Sequence, residues 1–235
     1  MSAVTSIRPL KLVAVTGAPN SPSKTETLVN AILAQLQQHI QVDVQYIRLS
    51  QIGYLLNGAA RRDLLAEEVQ SALDLIEAAD ALVVASPVYR ASYTGLFKHL
   101  FDYIDQFALV DKPVLLAATG GSERHALVLE HQFRPLFSFF QSHTLPIGVF
   151  ATDKDFENYQ VVNPLLLERI ELAVTRAIPQ FLFASKLKVN PTIHDDFEIK
   201  LHQILATQPH SVFLQHVQNL NFTSSNTIAT SFVNT

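Results

Sequence analysis

The sequence predicts an α/β protein built on one parallel sheet, and three observations carry that expectation. Short β-branched and apolar runs recur along the chain, longer segments with apolar residues every three or four positions lie between them, and the two kinds alternate strictly to about residue 185. Strict alternation demands crossover connections, which are right-handed and leave a parallel sheet covered on both faces.

In chain order, the first strand is "LVAVTG" from Leu12, nearly continuous in apolar residues, as a central strand must be. The helix pattern "TETLVNAILAQLQQHI" follows, and then "VDVQYIRL" from Val42, where Asp43, Gln45 and Arg48 interleave and mark an edge strand. "AEEVQSALDLIEAAD" leads to the buried strand "ALVVASP" from Ala81, and "TGLFKHLFDYIDQF" leads to "PVLLAATGG" from Pro113. "ERHALVLEHQFRPLFSFFQSH" precedes the fifth strand, "PIGVFAT" from Pro146, and "PLLLERIELAVTRAIPQFLF" closes the pattern as a helix. Five strands with the second at an edge fit a flavodoxin-like, doubly wound five-stranded parallel sheet of order 2-1-3-4-5. Its switch point lies between the first and third strands, so ligand is expected there, outside the carboxyl ends. Residues 1–185 read as one domain. Residues 186–235 read as a C-terminal extension, in which "HDDFEIKLHQIL" forms a short helix and the Ser/Thr/Asn-rich end is mobile or draped over a partner subunit.

Composition narrows the classes of function. Hydrophobic residues make up 48% and charged residues 16%, a balance that suits a large core and a buried oligomer surface. The net charge is -4 and the 17 Lys and Arg are scattered, so no nucleic-acid footprint is expected. There is no cysteine, which removes disulfides, thiolate nucleophiles and Cys-ligated metals together and fits a reducing compartment. The opening "MSAVTSIRPL" is too short and too weakly apolar for a signal peptide, and no stretch approaches a membrane span; a soluble cytoplasmic protein is expected. The nine histidines are spread out, so no metal site is expected, and neither a G-x-S-x-G elbow nor a convincing triad is present.

Three loops should share the rim at the carboxyl ends. The first, within "TGAPNSPSKTETLV", approaches a P-loop but misses it: Gly17 is one residue too far from Lys24-Thr25, and Ser23 stands where the second glycine belongs. Pro19 and Pro22 stiffen an extended turn, while Ser23 and Thr25 offer hydroxyls beside the free amides of a helix start. A single terminal phosphate matches these donors and the helix dipole. The alternative is an N-cap that merely satisfies the helix. In the second loop Pro87 fixes the backbone, Val88 and Tyr89 offer apolar and flat surface, and Arg90 adds charge; the alternative is a plain connection with Tyr89 and Tyr93 in an interface. In the third, Gly120-Gly121 permits close backbone approach, beside the hydroxyls of Thr119 and Ser122. A phosphate pocket, an aromatic wall and a hydrogen-bonding edge together describe what a flavin mononucleotide (FMN) needs.

The segments "GAPNSPSKTETLV", "SPVYRASYTGLFKHLFDYID", "KPVLLAATGGSERHALV" and "PIGVFATDKDF" resemble the NAD(P)H-dependent FMN reductases of two-component sulfonate and sulfone monooxygenase systems, over about Leu12 to Phe183. The resemblance implies phosphate contacts from Ser23, Lys24 and Thr25, ring contacts from Pro87, Val88 and Tyr89, and pyrimidine-edge contacts from Thr119, Gly120, Gly121 and Ser122. Family members commonly carry Ser where this chain has Ala18, which leaves Asn20 or Ser21 to compensate. It further implies an inserted residue that opens a π-helix at a tetramer interface. His131, in "LVLEHQFRPLFSFF", falls at that position and favours the methanesulfonate-type subgroup; the alternative is an ordinary helix residue meeting a neighbouring subunit. Pro135 in the same stretch should remove a hydrogen bond and bend the helix.

The implied chemistry is hydride transfer from NADH or NADPH to FMN between stacked rings, with no side chain acting as acid or nucleophile. Reduced FMN then passes to a flavin-dependent monooxygenase. Rival readings are an FMN-retaining quinone, azo or metal-ion reductase, a flavodoxin-like electron carrier, and an interaction domain that has kept the fold. Two helical faces, "YTGLFKHLFDYIDQF" with Tyr93 and the helix with His131, suggest a dimer or a tetramer.

Overall fold

The computed structural model describes residues 8–186. The expected C-terminal helix and tail lie outside the described residues. Strands β1 (Leu10–Thr16), β2 (Val42–Arg48), β3 (Ala81–Pro87) and β4 (Pro113–Gly120) form a parallel sheet in the order β2-β1-β3-β4, with the fifth position beyond β4. The expected order 2-1-3-4-5 is therefore the observed one. β3 and β4 are buried almost throughout, because helices cover both faces, whereas β2 alternates half-buried and exposed positions up to the buried Ile47, as an edge strand does.

Period-two alternation divides the core between the two faces. Leu12 and Ala14 of β1 face the layer of α1 (Lys24–Gln37) and α6 (Pro164–Lys186), joined there by Leu28, Ile32, Val83, Leu115, Val174 and Phe181. Val13 and Val15 face the opposite layer, where Leu73 and Ile76 of α3 (Glu67–Ala78) meet Phe97 and Phe101 of α4 (Gly95–Phe101) and Phe137 of α5 (Arg134–Phe139). Between β2 and α3 the chain adds a short helix α2 (Leu49–Ile52) and two 3-10 turns that the apolar pattern does not signal.

The fifth strand departs from expectation. It is split into β5 (His143–Thr144) and β6 (Val149–Thr152), both pairing with β4, and Pro146 stands in the gap instead of opening a continuous strand. Proline has no amide to donate to the ladder. The carbonyls released by the break find guanidinium donors: Arg134 donates to the carbonyls of Leu145 and Pro146 at 2.9 and 3.0 Å, and Arg169 to that of Gly148 at 2.9 Å.

The expected long helix after β4 is likewise divided. A 3-10 turn (Glu123–His125) is followed by a π-helix over Leu129–Phe133, in which the Arg134 amide returns to the Leu129 carbonyl five residues back. Pro135 then falls in the first turn of α5, where a missing donor is tolerated, so the lost bond is absorbed at a junction and not within a helix. The π turn packs closely on the broken strand. A Cβ at Gly148 would lie 2.7 Å from Leu129 Cδ1 and 3.1 Å from the Leu116 carbonyl oxygen.

Two expectations follow for stability. Gly148→Ala should destabilise the protein by about 1–3 kcal/mol through overpacking, measured as a lower urea midpoint with unchanged slope. Tyr46 on β2 lies beneath the Arg48 guanidinium, 3.6 Å from its ring centroid, and burial pushes its phenol up to about 12, against the opposing charge of Arg48. The fold favours the neutral phenol, so this stabilisation is complete below the unfolded value near 10 and is lost as pH rises from about 10 to about 12. Tyr46→Phe should remove that alkaline slope, read from urea midpoints across this window.

Candidate functional site: a cavity at the switch point

The carboxyl ends of β1, β3, β4 and β6 open onto one rim. Parallel registers align them, with Thr16 opposite Ala85, Pro87 opposite Thr119, and Thr119 opposite Ala151. Backbone bonds then extend the sheet into the loops: the Gly17 amide donates to the Ala85 carbonyl and the Val88 amide to the Thr119 carbonyl, each at 2.7 Å. The Thr94 hydroxyl donates to the Gly17 carbonyl at 2.7 Å, which seats the first loop on the start of α4. A side chain at Gly17 is excluded, since its Cβ would lie 2.8 Å from Ser86 Oγ and 2.9 Å from Phe97.

A cavity of about 330 Å³ lies at this rim, within the range of small-molecule sites. It gathers nine of the sequence candidates: Ser23, Lys24 and Thr25 from the first loop, Pro87, Val88 and Tyr89 from the second, and Thr119, Gly120 and Gly121 from the third. Arg90 and Ser122 do not line it. Arg90 sits at the outer corner of a tight turn, and Ser122 lines a neighbouring cleft with Arg124 and Lys154.

In the first loop, Ser23 is the N-cap of α1, and its Oγ accepts from the Glu26 amide at 3.1 Å. That bond uses only acceptor capacity, so the hydroxyl proton stays free to donate, and the cap and an anion contact are compatible. Thr25 is nearly fully buried, and its Oγ1 lies 2.7 Å from Thr119 Oγ1 across the cavity floor. Only one of this pair donates to the other, which leaves one hydroxyl proton for a further acceptor. Ser21 is committed elsewhere: its hydroxyl donates at 2.8 Å to the carboxylate of Glu26, which also accepts from Ser50 at 3.1 Å. Of the two residues expected to compensate for Ala18, Asn20 lines the cavity and Ser21 does not.

The second loop is a two-residue turn closed by mutual backbone bonds between Tyr89 and Ser92, with Arg90 and Ala91 at φ 52° and 66°. Both corner residues carry a Cβ in the left-handed region, a conformation that persists only when the surroundings hold it. The Ser92 hydroxyl donates to Gln132 Oε1 at 3.0 Å, tying the turn to the π-helix. Tyr93 packs edge-on against Phe133 of the same π-helix, ring centroids 5.4 Å apart, and burial raises its phenol above the usual value. His131 lies exposed on that helix.

Two cavity residues escaped the sequence reading. Asp153, just beyond β6, binds Lys24 Nζ at 2.7 Å, and Tyr159 lies at the tip of a hairpin formed by β7 (Phe156–Glu157) and β8 (Gln160–Val161). The capping pattern Thr152-x-x-Asp155 was the legible signal for the first. Asp155 accepts from the Thr152 amide at 2.6 Å and hydroxyl at 2.8 Å, and although burial opposes its charge, these bonds with that from Asn163 hold its carboxyl below the usual range. Among the described residues no group of three His, Asp or Glu side chains has metal-site geometry, and no helix is long and apolar enough to cross a membrane.

The donor set fits FMN. Amides and a cation at the start of a fourteen-residue helix suit a phosphate, and a glycine turn opposite a Pro-Val-Tyr wall suits a flat ring. Comparisons with known proteins point the same way. The model of the NADPH-dependent FMN reductase family matches residues 10–157. The NADH-dependent FMN reductase SfnF of Pseudomonas fluorescens is 56% identical over 181 residues, covering 77% of this chain and 96% of that protein. An FMN reductase (NADPH) of Pseudomonas aeruginosa is 55% identical, covering 76% and 96%. Among solved structures, the apo form of the NADH:FMN oxidoreductase EMOB superposes with a TM-score of 0.63 at 30% identity, covering 77% of this chain and 91% of that one. With a family model spanning more than half its length and relatives above half identity, this chain belongs to the NADPH-dependent FMN reductase family.

Proposed function

We propose that the protein is an NAD(P)H:FMN oxidoreductase whose product, reduced FMN, serves a flavin-dependent monooxygenase acting on sulfonates or sulfones. The observation that carries the reading is the meeting, in one cavity, of the α1 N-terminus with Lys24, the Pro87–Tyr89 wall and the Gly120-Gly121 turn. The relatives' names as FMN reductases support the same chemistry.

In this reading the amides and hydroxyls of Ser23 and Thr25 and the ammonium of Lys24 hold the phosphate. Pro87, Val88 and Tyr89 form one wall for the ring, with Arg90 at the outer corner of their turn. The Gly120 and Gly121 amides, with Thr119 beside them, meet the pyrimidine edge, while Ser122 borders the neighbouring cleft. FMN supplies the hydride acceptor when bound, and the chain's own contribution is position. Tyr89 and Tyr159 are both about half exposed, so the mouth stays open for the pyridine nucleotide.

The proposal includes a cytoplasmic homo-oligomer, a dimer or tetramer, formed through α4 and the π-helix with α5. Phe107 and Phe139 are 60% and 64% exposed, and Phe139 borders an apolar cleft with Tyr93, Phe101 and Leu136. His131 lies exposed on the π-helix and in this reading serves the interface and flavin exchange.

Anaerobic mixing with free FMN as the sole acceptor should show oxidation of NADH or NADPH; no oxidation with either donor would sink the reading. Lys24→Met should weaken FMN binding about tenfold in equilibrium dialysis while leaving riboflavin, which lacks the phosphate, within about twofold.

A further inference from the structure

Lys24 is the cation at the start of α1, and its ammonium is held by a carboxylate that follows β6 on the same rim. Asp153 Oδ1 lies 2.7 Å from Lys24 Nζ, although 129 residues separate them. The same carboxylate reaches toward the glycine turn, with Oδ2 3.8 Å from the position a Cβ would take at Gly121. Asp153 therefore borders the cavity between the helix start and the glycine turn. Its backbone is fixed on both sides. β6 pairs with β4 up to Thr152, and the Thr152–Asp155 capping box closes the turn that carries it.

Two carboxylates and one ammonium stand at this helix start. Glu26 lies in the first turn of α1, and its carboxylate accepts from the hydroxyls of Ser21 and Ser50, with no ion pair to it among the described residues. Asp153 adds a second negative charge, and Lys24 is shared with it. A phosphate arriving at the amides of α1 must draw Lys24 away from Asp153, leaving that carboxylate unneutralised, or bind without the lysine. Both routes weaken the grip on a phosphorylated flavin and leave the ring contacts untouched.

We propose that Asp153 is an anionic competitor for Lys24 that lowers the affinity of the site for FMN and so speeds its exchange. This rests on the FMN-binding reading above. It assigns Asp153 a role that an exposed surface ion pair would not have, since such a pair alone adds little to stability. It also accounts for a carboxylate placed beside a site whose ligand is itself an anion.

The test compares wild type, Asp153→Asn, Lys24→Met and the double variant, all as the full chain, by equilibrium dialysis and by stopped-flow release of FMN and of riboflavin. The side chain of Asp153 is 65% exposed, so the Asn replacement leaves the fold intact. Asp153→Asn should bind FMN about three- to tenfold tighter and release it correspondingly more slowly, with riboflavin changed less than about twofold. The gain should shrink in about 0.5 M salt and be smaller in the Lys24→Met background, where only direct repulsion by the carboxylate is left to remove. Unchanged or weaker FMN binding by Asp153→Asn, or an equal gain for riboflavin, overturns the proposal while wild-type FMN binding leaves the underlying reading intact. Wild type that bound no FMN would overturn both.

Discussion

The rest of the structure depends on the parallel register that ends β1, β3 and β4 at one level. Pro87 lies opposite Thr119, and Gly17 continues the ladder to Ala85, so three loops far apart in the chain leave the sheet side by side. The hydrogen bond between Thr25 and Thr119 then closes the floor between the first and third loops. A shift of either strand by one residue would send the side chains at its end to the opposite face. Burial of β3 and β4 on both faces is what makes such a shift prohibitive.

On that frame the site joins rigid and compensated parts. The turn from Tyr89 to Ser92 holds two non-glycine residues in the left-handed region, and its partners are a hydrogen bond to Gln132 and the packing of Tyr93 on Phe133. Both partners belong to the π-helix, and the π-helix in turn leans on the gap that Pro146 opens in the fifth strand, through Gly148 and Leu129. A helix defect, a strand defect and a strained turn thus support one another, each supplying the contacts that another lacks. The association of π turns with functional sites has a local cause here, since the π-helix holds Gln132 against the turn that follows the Pro87–Tyr89 wall of the cavity.

Charge at the helix start follows a different logic. An N-terminus favours anions, and α1 already satisfies part of that preference internally through Glu26 in its first turn. Lys24 is the counterweight, and it is already paired with Asp153. In the proposed function, such a site would hold a phosphate by its hydrogen-bond donors more than by net charge.

The sequence by itself determined the layer architecture, the strand order and most of the cavity lining. Apolar runs separated by amphipathic helices admit few topologies, and loops at the ends of parallel strands must share a rim. It also carried the π-helix, through the family resemblance around His131. Tertiary structure alone decided which groups meet. Nothing local to Asp153 shows that it reaches Lys24, because only the pairing of β6 with β4 brings Thr152 beside Gly120, at the rim where α1 begins. Ser21 loses its expected role because the partner that claims it, Glu26, becomes a neighbour only once the loop has turned into α1. The split fifth strand was unreadable for a related reason. Whether Pro146 opens a strand or interrupts one depends on whether other groups, here Arg134 and Arg169, stand where the freed carbonyls need donors.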